Sequence, residues 1–426
     1  MKKSLAVVLT FFLAAAALAG LGRRKAADPL ERIVRLYKDC SYFELRDAVA
    51  ELKINSSVEV EFFRGAVANA FNHLDLAVAS SLRYLDRTSP DSPRPLAKEA
   101  WVILADSYRR LGQYRKSAEA QRAILERFGA GLGASEKTNR ENQDTLWSAL
   151  ADVPPQTVEI FGDSVIPMEK RLFPVRVKDR VLYVAYDTGA NLSVLYRSAA
   201  DELGLALYGS GIKIQSGTGK WIDSRVTVVP EMRLGEAVVQ NAVFLVLPDD
   251  FFPPRRVRPG VERRGLIGAP ILTALKEFTE TRDGFLLIPA LPRHRPEQNM
   301  CFFGFMPVVE VLHRGARFSF CLDTGSSETF LHPPFFRRYR GEIRARSKAR
   351  TTTVGGVGDV RPVTIHVLDA FAFKAGGLDI SLKRIGVHTQ VTHSSTELFF
   401  GTLGLDILAQ CTRMTFNFES MSFILE

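Results

Sequence analysis

The sequence has few cysteines, few histidines and, after its first residues, no long apolar run. Four cysteines and seven histidines occur in 426 residues, and no CxxC pair is present. This composition excludes a disulfide-dense scaffold and gives no pattern for a metal site. P-loop, HExxH and GxSxG motifs are also absent, so we expect no metal and no cofactor. The formal charge of +9 is too mild to indicate a nucleic-acid partner.

The first residues carry the pattern of an export signal. Met1–Lys3 is basic, Leu5–Leu18 is almost wholly apolar, and Ala17–Ala19 is a small-x-small site. We expect a signal peptide at residues 1–19, cleaved after Ala19, and therefore a periplasmic or extracellular protein. An uncleaved membrane anchor, lengthened through Gly20–Gly22, is the alternative. Export permits one disulfide, although free and buried thiols are the stronger expectation for the last three cysteines: Cys301, Cys321 and Cys411.

Residues 28–150 have the periodicity of helices that pack against one another. Apolar and aromatic side chains recur every three or four residues along Trp101–Tyr114, which predicts an amphipathic helix. Ala100–Leu125 resembles a tetratricopeptide repeat, and a weaker copy lies around Gly65–Ala77. We predict a helical repeat module that could dock a protein partner; the alternative is an ordinary helical hairpin domain without a peptide groove. The polar run Ser135–Asp144 is interpreted as a linker.

After Pro154–Pro155 the pattern changes to short apolar strands separated by glycine-containing turns, as in an all-β region. This region contains an internal repeat. Asp187–Gly189 and Asp323–Gly325 carry the same Asp-Thr-Gly triplet, and the later Gly268 and Gly404 are separated by the same offset as the two triplets. A hairpin pattern precedes each triplet. We therefore expect two similar lobes, which comprise residues 157–296 and 297–426.

Each apolar strand is expected to deliver its aspartate to a tight turn on a buried floor. Gly189 and Gly325 let the second loop come close, where a β-carbon would collide, and the threonine hydroxyls can bond to the opposite loop. Two carboxyls held about 3 Å apart share one proton. The ionised carboxylate can take a proton from water while the protonated one donates to a peptide carbonyl. The pattern thus predicts peptide hydrolysis by Asp187 and Asp323.

Two glycine-rich segments, Gln215–Asp223 and Thr353–Asp359, have the composition of mobile hairpin tips that close over a bound peptide. Trp221 is a candidate lid aromatic; its alternative role is packing on the lobe surface. The candidate substrate-binding residues are Gly217, Gly219, Trp221, Gly355 and Gly356.

Tyr186–Ala190 and Leu322–Ser327 resemble the active-site loops of aspartic proteases, the first in the retroviral-type form and the second in the pepsin-like form. Gly265–Leu272 and Gly401–Leu408 are similar to the family's hydrophobic-hydrophobic-glycine element, which buttresses those loops. The resemblance covers about Thr157 to Glu426. With its helical front, the chain resembles a secreted bacterial aspartyl protease.

The resemblance implies a multidomain α and β protein, in which an N-terminal α-helical repeat module precedes a bilobed all-β aspartic-protease fold of two tandem barrels. It implies an exported endopeptidase with one catalytic aspartate in each lobe. Ser326 is expected to offer its hydroxyl to the neighbouring carboxylate, which Ala190 cannot do. The residues expected to support the dyad or its loops are Thr188, Gly189, Thr324, Gly325, Ser326, Gly268 and Gly404.

A second hypothesis is a non-catalytic scaffold that binds peptides or proteins through the helical repeats, with the β lobes as a degenerate clamp. Retention of both triplets argues against it, because a clamp needs no pair of buried acids. The expected partners are a peptide or protein substrate and a protein docked at the helices, with no nucleic acid. The basic runs Arg255–Arg264 and Arg337–Arg350 are interpreted as solvated loops; the alternative is peripheral contact with an anionic polymer or membrane face.

Overall fold

The computed structural model describes residues 29–52, 57–87, 94–215, 221–251, 256–356, 359–392 and 394–426. Within them, α-helices come first and β-strands follow, which confirms the predicted order along the chain. The predicted signal peptide, residues 1–19, lies outside the described residues. In the described part of the chain, no helix is both long and apolar enough to cross a membrane.

The N-terminal part is a succession of helices that pack against one another. The helices are Pro29–Lys38 (α1), Tyr42–Ala50 (α2), Val58–Ala70 (α3), Leu74–Asp86 (α4), Ala97–Arg110 (α5), Tyr114–Phe128 (α6) and Ala134–Ala149 (α7), with a short 3-10 turn at Gly129–Gly131. In α5, the buried Ala100, Leu104 and Ser107 lie three or four residues apart, so one stripe faces the neighbouring helices. Gly112 has φ +69° in the turn between α5 and α6, a conformation that favours glycine.

The interpretation of Ser135–Asp144 as a linker is wrong, because this run forms most of α7. Trp147, near the end of the helix, is buried. Glu136 pairs with Lys98 at 3.3 Å and with Arg140 at 3.6 Å. The burial of Trp147 near the C-terminal end and the ion pairs of Glu136 near the N-terminal end therefore stabilise a helix in spite of the polar composition of the run.

The first β part contains a nine-stranded sheet, called the first sheet. The elements are Thr157–Ile160 (β1), Ser164–Pro167 (β2), Phe173–Val177 (β3), Arg180–Tyr186 (β4), Ser193–Tyr196 (β5), Arg197–Glu202 (α8), Leu207–Gln215 (β6), Trp221–Leu234 (β7), Ala237–Leu247 (β8), Arg256–Arg258 (β9), Val261–Ile267 (β10), Ala269–Ala274 (α9), Glu277–Thr281 (β11) and Phe285–Ile288 (β12). Strand pairing runs β3–β4–β10–β5–β8–β7 and returns to β3, which closes a ring of strands around an apolar interior.

The second β part contains an eight-stranded sheet, called the second sheet. The elements are Met300–Phe303 (β13), Met306–His313 (β14), Ala316–Leu322 (β15), Phe330–Leu331 (β16), Pro333–Arg338 (α10), Arg340–Arg346 (α11), Arg350–Gly356 (β17), Asp359–Ala375 (β18), Leu378–His388 (β19), Ser394–Leu398 (α12), Gly401–Leu403 (β20), Arg413–Asn417 (β21) and Ser422–Leu425 (β22), with a 3-10 helix at Leu405–Gln410. Its pairing order, β14–β15–β20–β16–β19–β18 with β18 back on β14, repeats that of the first sheet.

A five-stranded bridging sheet joins the two β parts in the order β2–β12–β11–β21–β22. Strands β11 and β21 pair antiparallel, with Thr279 opposite Thr415 at the same offset that relates the two Asp-Thr-Gly triplets. The two hydroxyl oxygens lie 2.7 Å apart. Because equivalent residues face each other here, an approximate twofold axis of the repeat passes between these threonines.

The basic runs are not the solvated loops that we expected. The run that ends at Arg264 overlaps β9 and β10, and Arg337–Arg350 consists mainly of α10 and α11. Val261 in the first run and Ile343 in the second are each 1% exposed. Single apolar anchors thus give these charged segments regular structure while the charges stay at the surface.

The cysteines are free, buried thiols, as expected. The disulfide that the sequence allowed among the last three does not form. Burial raises the pKa of every thiol, which keeps it protonated and unreactive. The four residues are Cys40, Cys301, Cys321 and Cys411.

The helical part packs against both sheets. Tyr114 and Trp147 share a hydrophobic core with strands β5 to β8 of the first sheet. Phe43 and Phe71 belong to the core that contains the strands of the second sheet. The helices therefore share hydrophobic cores with both sheets in this structure.

Candidate active site

Strands β4 and β15 deliver the two aspartates to one place. Asp187 directly follows β4 and Asp323 directly follows β15. Each strand pairs in parallel with a later strand of its own sheet, β10 or β20. The Asp187 N–H donates to the Ile267 carbonyl at 2.9 Å, and the Asp323 N–H donates to the Leu403 carbonyl at 3.0 Å. The same strand pairing therefore fixes the backbone of both aspartates.

Crossed hydrogen bonds join the two Asp-Thr-Gly loops. The Thr188 N–H donates to Thr324 Oγ1 at 3.0 Å, and the Thr324 N–H donates to Thr188 Oγ1, also at 3.0 Å. The Thr188 hydroxyl donates in turn to the Leu322 carbonyl at 2.8 Å. Both threonines are buried, so water does not compete for these bonds. Each threonine thus bonds to the opposite loop.

The carboxyl groups of Asp187 and Asp323 hydrogen-bond to each other. A β-carbon on Gly189 would lie 2.6 Å from Asp323 Oδ1, and one on Gly325 would lie 2.5 Å from Asp187 Oδ2. Each glycine N–H donates to Oδ1 of the aspartate in its own loop, at 2.8 Å and 2.9 Å. These two positions require glycine because the opposite carboxyl occupies the space of a side chain.

The electrostatics of the pair follow from burial and mutual repulsion. Burial raises the pKa of Asp187, and the Gly189 N–H partly offsets that rise. Burial, together with the adjacent Asp187, raises the pKa of Asp323 to about 8. Ionising both of two adjacent carboxyl groups is unfavourable in free energy, because the two negative charges repel each other. The pair therefore holds one shared proton over a wide range of pH.

Gly268 and Gly404 support the two loops from behind. The Gly268 N–H donates to Ser193 Oγ and the Gly404 N–H donates to Thr329 Oγ1, both at 3.0 Å. A β-carbon on Gly404 would lie 2.5 Å from the carbonyl group of Glu328. Ser193 and Thr329 are not among the residues predicted from the motifs, although both carry a hydroxyl and are related by the offset of the repeat.

The two halves differ beside these glycines. Asp406 accepts hydrogen bonds from the Thr329 N–H at 2.9 Å and the Thr329 hydroxyl at 2.6 Å, whereas the equivalent residue of the first half is Pro270. The expected contact of the Ser326 hydroxyl with the neighbouring carboxylate is wrong. That hydroxyl donates instead to the Glu328 carbonyl at 2.8 Å, because a serine can close a local turn with a carbonyl two residues on.

The glycine-rich segments are the ends of β-hairpins. Trp221 begins β7 next to the tip of the β6–β7 hairpin, and its side chain is half-buried. Gly217 and Gly219 lie outside the described residues. In the second half, Gly355 and Gly356 end β17 and pair with the start of β18.

A buried polar network next to Asp187 was missed by the motif analysis. Tyr186, the residue before Asp187, donates its hydroxyl to Glu280. Arg171 pairs with the same carboxylate, with Nη2 3.1 Å from Oε2. Its guanidinium carbon lies 5.1 Å from the centroid of the Tyr186 ring. The equivalent positions of the second half, at the offset of the repeat, are Pro307, Leu322 and Phe416.

Comparison with known proteins finds similarity over part of the chain. Residues 173–271, about a quarter of the chain, match the family model described as aspartyl protease. The chain is also similar to the solved structure of a retropepsin-like aspartic protease from Rickettsia conorii, at 19% identity, with 32% of this chain and 96% of that chain covered and a TM-score of 0.22. No curated protein matches the sequence. The family match, which includes the first Asp-Thr-Gly loop, supports an aspartyl protease.

Proposed function

We propose that this protein is an aspartic endopeptidase whose catalytic residues are Asp187 and Asp323. The observation that carries the proposal is the crossed pair of threonine hydrogen bonds, which brings the two carboxyls into direct contact. A buried pair of acids is costly for a protein to keep, and a shared proton is the property that acid–base hydrolysis needs. The family match over residues 173–271 supports the same reaction class.

The proposed reaction uses water as the nucleophile. The ionised carboxylate takes a proton from a water molecule between the two acids, and the protonated carboxyl donates its proton to the peptide carbonyl oxygen. The new C–O bond gives a neutral tetrahedral diol. Proton transfer to the amide nitrogen and cleavage of the C–N bond then release an amine and a carboxylic acid. The hairpins that carry Trp221, Gly355 and Gly356 would cover the bound peptide and exclude bulk water.

Peptide cleavage by the purified full-length chain tests the proposal. A mixture of unstructured peptides should be cut by the wild type at pH values between the raised pKa of Asp187 and about pH 8, where the pair holds one proton. Asp187→Asn and Asp323→Asn should each lower the rate by at least ~10²-fold, because each removes one partner of the proton transfer. Mass spectrometry of the products identifies the bonds cut.

Asp283→Asn is the matched control, since Asp283 is exposed and is not part of the dyad loops. It should cut peptides at the wild-type rate. Equal trace activity in all four proteins would refute the endopeptidase and leave the alternative, a non-catalytic scaffold that binds peptides. In that case, peptide binding without cleavage would be retained by both active-site variants.

We also propose the wider organisation that the sequence suggested. Residues 157–296 and 297–426 are two lobes of one acid-protease fold, and the matching strand orders of the two sheets support this. Residues 28–150 form the helical repeat module. Residues 1–19 are a signal peptide, so the mature protein is periplasmic or extracellular. N-terminal sequencing of protein from the exported fraction should begin at Gly20; an intact Met1 in the membrane fraction would instead indicate an uncleaved anchor.

A further inference from the structure

The repeat is nearly symmetric around the dyad, but the surroundings of the two acids are not. Beside Asp187 lie Arg171, Glu280 and Tyr186, which are joined by an ion pair and a hydrogen bond. The corresponding positions of the second half carry no ionisable side chain. Cys321, which lies near Asp323, is a buried thiol with a raised pKa. Among the described residues, Arg171 with its counter-ion Glu280 is thus a charged pair that the first half has and the second half lacks, whereas Asp406 beside Thr329 belongs to the second half alone.

The backbone that delivers Arg171 is held in an uncommon conformation. Lys170 and Arg171 have φ values of 48° and 66° in a two-residue turn closed by hydrogen bonds between Glu169 and Leu172. Asn or Gly usually occupies such positions, because positive φ is unfavourable for longer side chains. Lys178 and Arg314 adopt the same conformation in other hairpin turns, so the turn fixes the position of the Arg171 backbone and is not by itself a sign of function.

Arg171 is only partly neutralised by its partner. Nη2 pairs with Glu280, whereas Nη1 is buried and makes no hydrogen bond among the described residues. The side chain is 21% exposed, so water screens its charge incompletely. Burial raises the pKa of Asp187, and the positive charge of Arg171 opposes that rise and so favours the ionised form.

We propose that Arg171 and Glu280 are a positioning pair that keeps the negative charge of the dyad on Asp187 and the shared proton on Asp323. This inference rests on the proposed function: Asp187 is then the general base toward water, and Asp323 is the general acid toward the peptide carbonyl. The charged and titratable groups coupled to the dyad are Arg171 and Tyr186 on the Asp187 side and Cys321 on the Asp323 side; Glu280 acts through its bonds to Arg171 and Tyr186.

Carbon-13 NMR of the aspartate carboxyl carbons tests the assignment without requiring any activity. Asp187→Asn and Asp323→Asn identify the two signals in protein labelled at the aspartate carboxyl. In the wild type, the Asp187 carboxyl should ionise at the lower pH. In Arg171→Met its titration should move up by about one pH unit, because a nearby positive charge is lost. Arg171→Lys keeps that charge and should restore most of the shift.

Glu280→Gln should move the Asp187 titration in the opposite direction, to lower pH, because it removes the counter-charge and leaves Arg171 unbalanced. A merely structural role would not give shifts of opposite sign. Arg258→Met is the matched control: Arg258 pairs with Glu169 of the same turn but is 59% exposed, and its loss should leave both titrations unchanged.

The outcomes separate this inference from the proposed function. Earlier ionisation of Asp323, or identical titrations in wild type and both Arg171 variants, would overturn the inference even if peptides are cut. A protein that cuts no peptide but shows the expected shifts would keep the inference and refute the endopeptidase. If Arg171→Met does not fold, the Asp187 titrations of the wild type, Arg171→Lys and Glu280→Gln still decide whether the inference holds.

Discussion

Gly189 and Gly325, beside the dyad, leave no space for a larger side chain. In Gly325→Ala, the new β-carbon would lie 2.5 Å from Asp187 Oδ2, so the loops must move apart. A displacement of about 1 Å at a reacting group can cost ~10²-fold in rate. We expect peptide hydrolysis to fall by about this factor, while circular dichroism shows an unchanged fold.

Gly341→Ala is the control for this glycine substitution. Gly341 is exposed in α11 and has open space around it, so alanine should leave hydrolysis unchanged. It should also stabilise the short helix by roughly 0.5–1 kcal/mol. Full activity of Gly325→Ala would contradict the contact between the two loops.

Asp323 couples protonation to stability. Its pKa is raised from 3.8 to about 8 in the folded protein, so the folded state binds this proton more tightly than the unfolded chain. The stabilisation is complete below about pH 4 and is lost as the pH rises through 8. The side chain of the Asp323→Asn variant cannot ionise. The free energy of unfolding of the wild type should therefore fall relative to that of the variant between about pH 5 and pH 8, by on the order of a few kcal/mol.

Urea unfolding of both proteins at the two pH values measures this difference for the Asp187–Asp323 pair as a whole, because the two acids titrate together and the groups outside the pair are common to both proteins. An equal change of unfolding free energy with pH in the two proteins would show that Asp323 does not hold the extra proton.

Single residues of the site were predictable where the chemistry is local. The local geometry of an Asp-Thr-Gly triplet after an apolar strand can be predicted, because the residues that supply the carboxyl, the hydroxyl and the missing β-carbon are adjacent in sequence. Arg171 and Glu280 could not be found in that way, since a turn and a distant strand meet only through packing. The Ser326 hydroxyl was assigned wrongly because a carbonyl in its own loop competes with the carboxylate for the same donor.

Helix α7 supports the first hairpin at the level of elements. Trp147 stacks on Tyr114 with ring centroids 5.5 Å apart, and both share a core with Ile212 of β6. The Lys213 N–H donates to the Asn142 side chain at 3.3 Å. Trp147→Ala should destabilise the protein by about 3–5 kcal/mol and speed amide hydrogen exchange along β6.

Trp101→Ala provides the comparison, because Trp101 is half-buried in a small cluster within the helices. It should cost less stability and leave exchange in β6 unchanged. If β6 exchanges at the wild-type rate in Trp147→Ala, then α7 does not support the hairpin.

The elements themselves were predicted best where a pattern repeats. The stripe along α5 and the matched strands before each triplet follow directly from periodicity and offset. For helix α7 and the basic helices α10 and α11 the sequence predicts a linker and loops, because the residues of their outward faces dominate the composition. A few buried side chains in each, such as Trp147 in α7, Phe335 in α10 and Ile343 in α11, are too few for a sequence pattern to reveal but enough to fix the helix in the folded protein.

At the scale of the whole molecule, the helical part contacts the second sheet and the bridging sheet through polar and aromatic groups. Arg110, with 2% of its side chain exposed, lies over the Phe302 ring at 4.7 Å. The Asn72 side chain donates to the Phe418 carbonyl at 3.1 Å, and Arg317 pairs with Asp47 at 3.0 Å. Together with the Trp147 core, these contacts link the helices to both halves of the β region.

This double attachment predicts that the helices and the β region unfold together. Differential scanning calorimetry of the wild type should show one transition. The double variant Arg110→Ala with Trp147→Ala weakens both attachments, while the helices keep a core of their own and the β region keeps the large core that Phe43 and Phe71 also enter. We therefore expect its transition to separate into two, the helical one at lower temperature because a helical part of that size buries less apolar surface.

Arg127→Ala with Trp101→Ala removes an equivalent pair inside the helices and should lower the transition temperature without splitting the transition. Contacts that stabilise both parts make their unfolding cooperative, which gives one transition. Two transitions in the wild type would therefore mean that the helices fold independently of the β region.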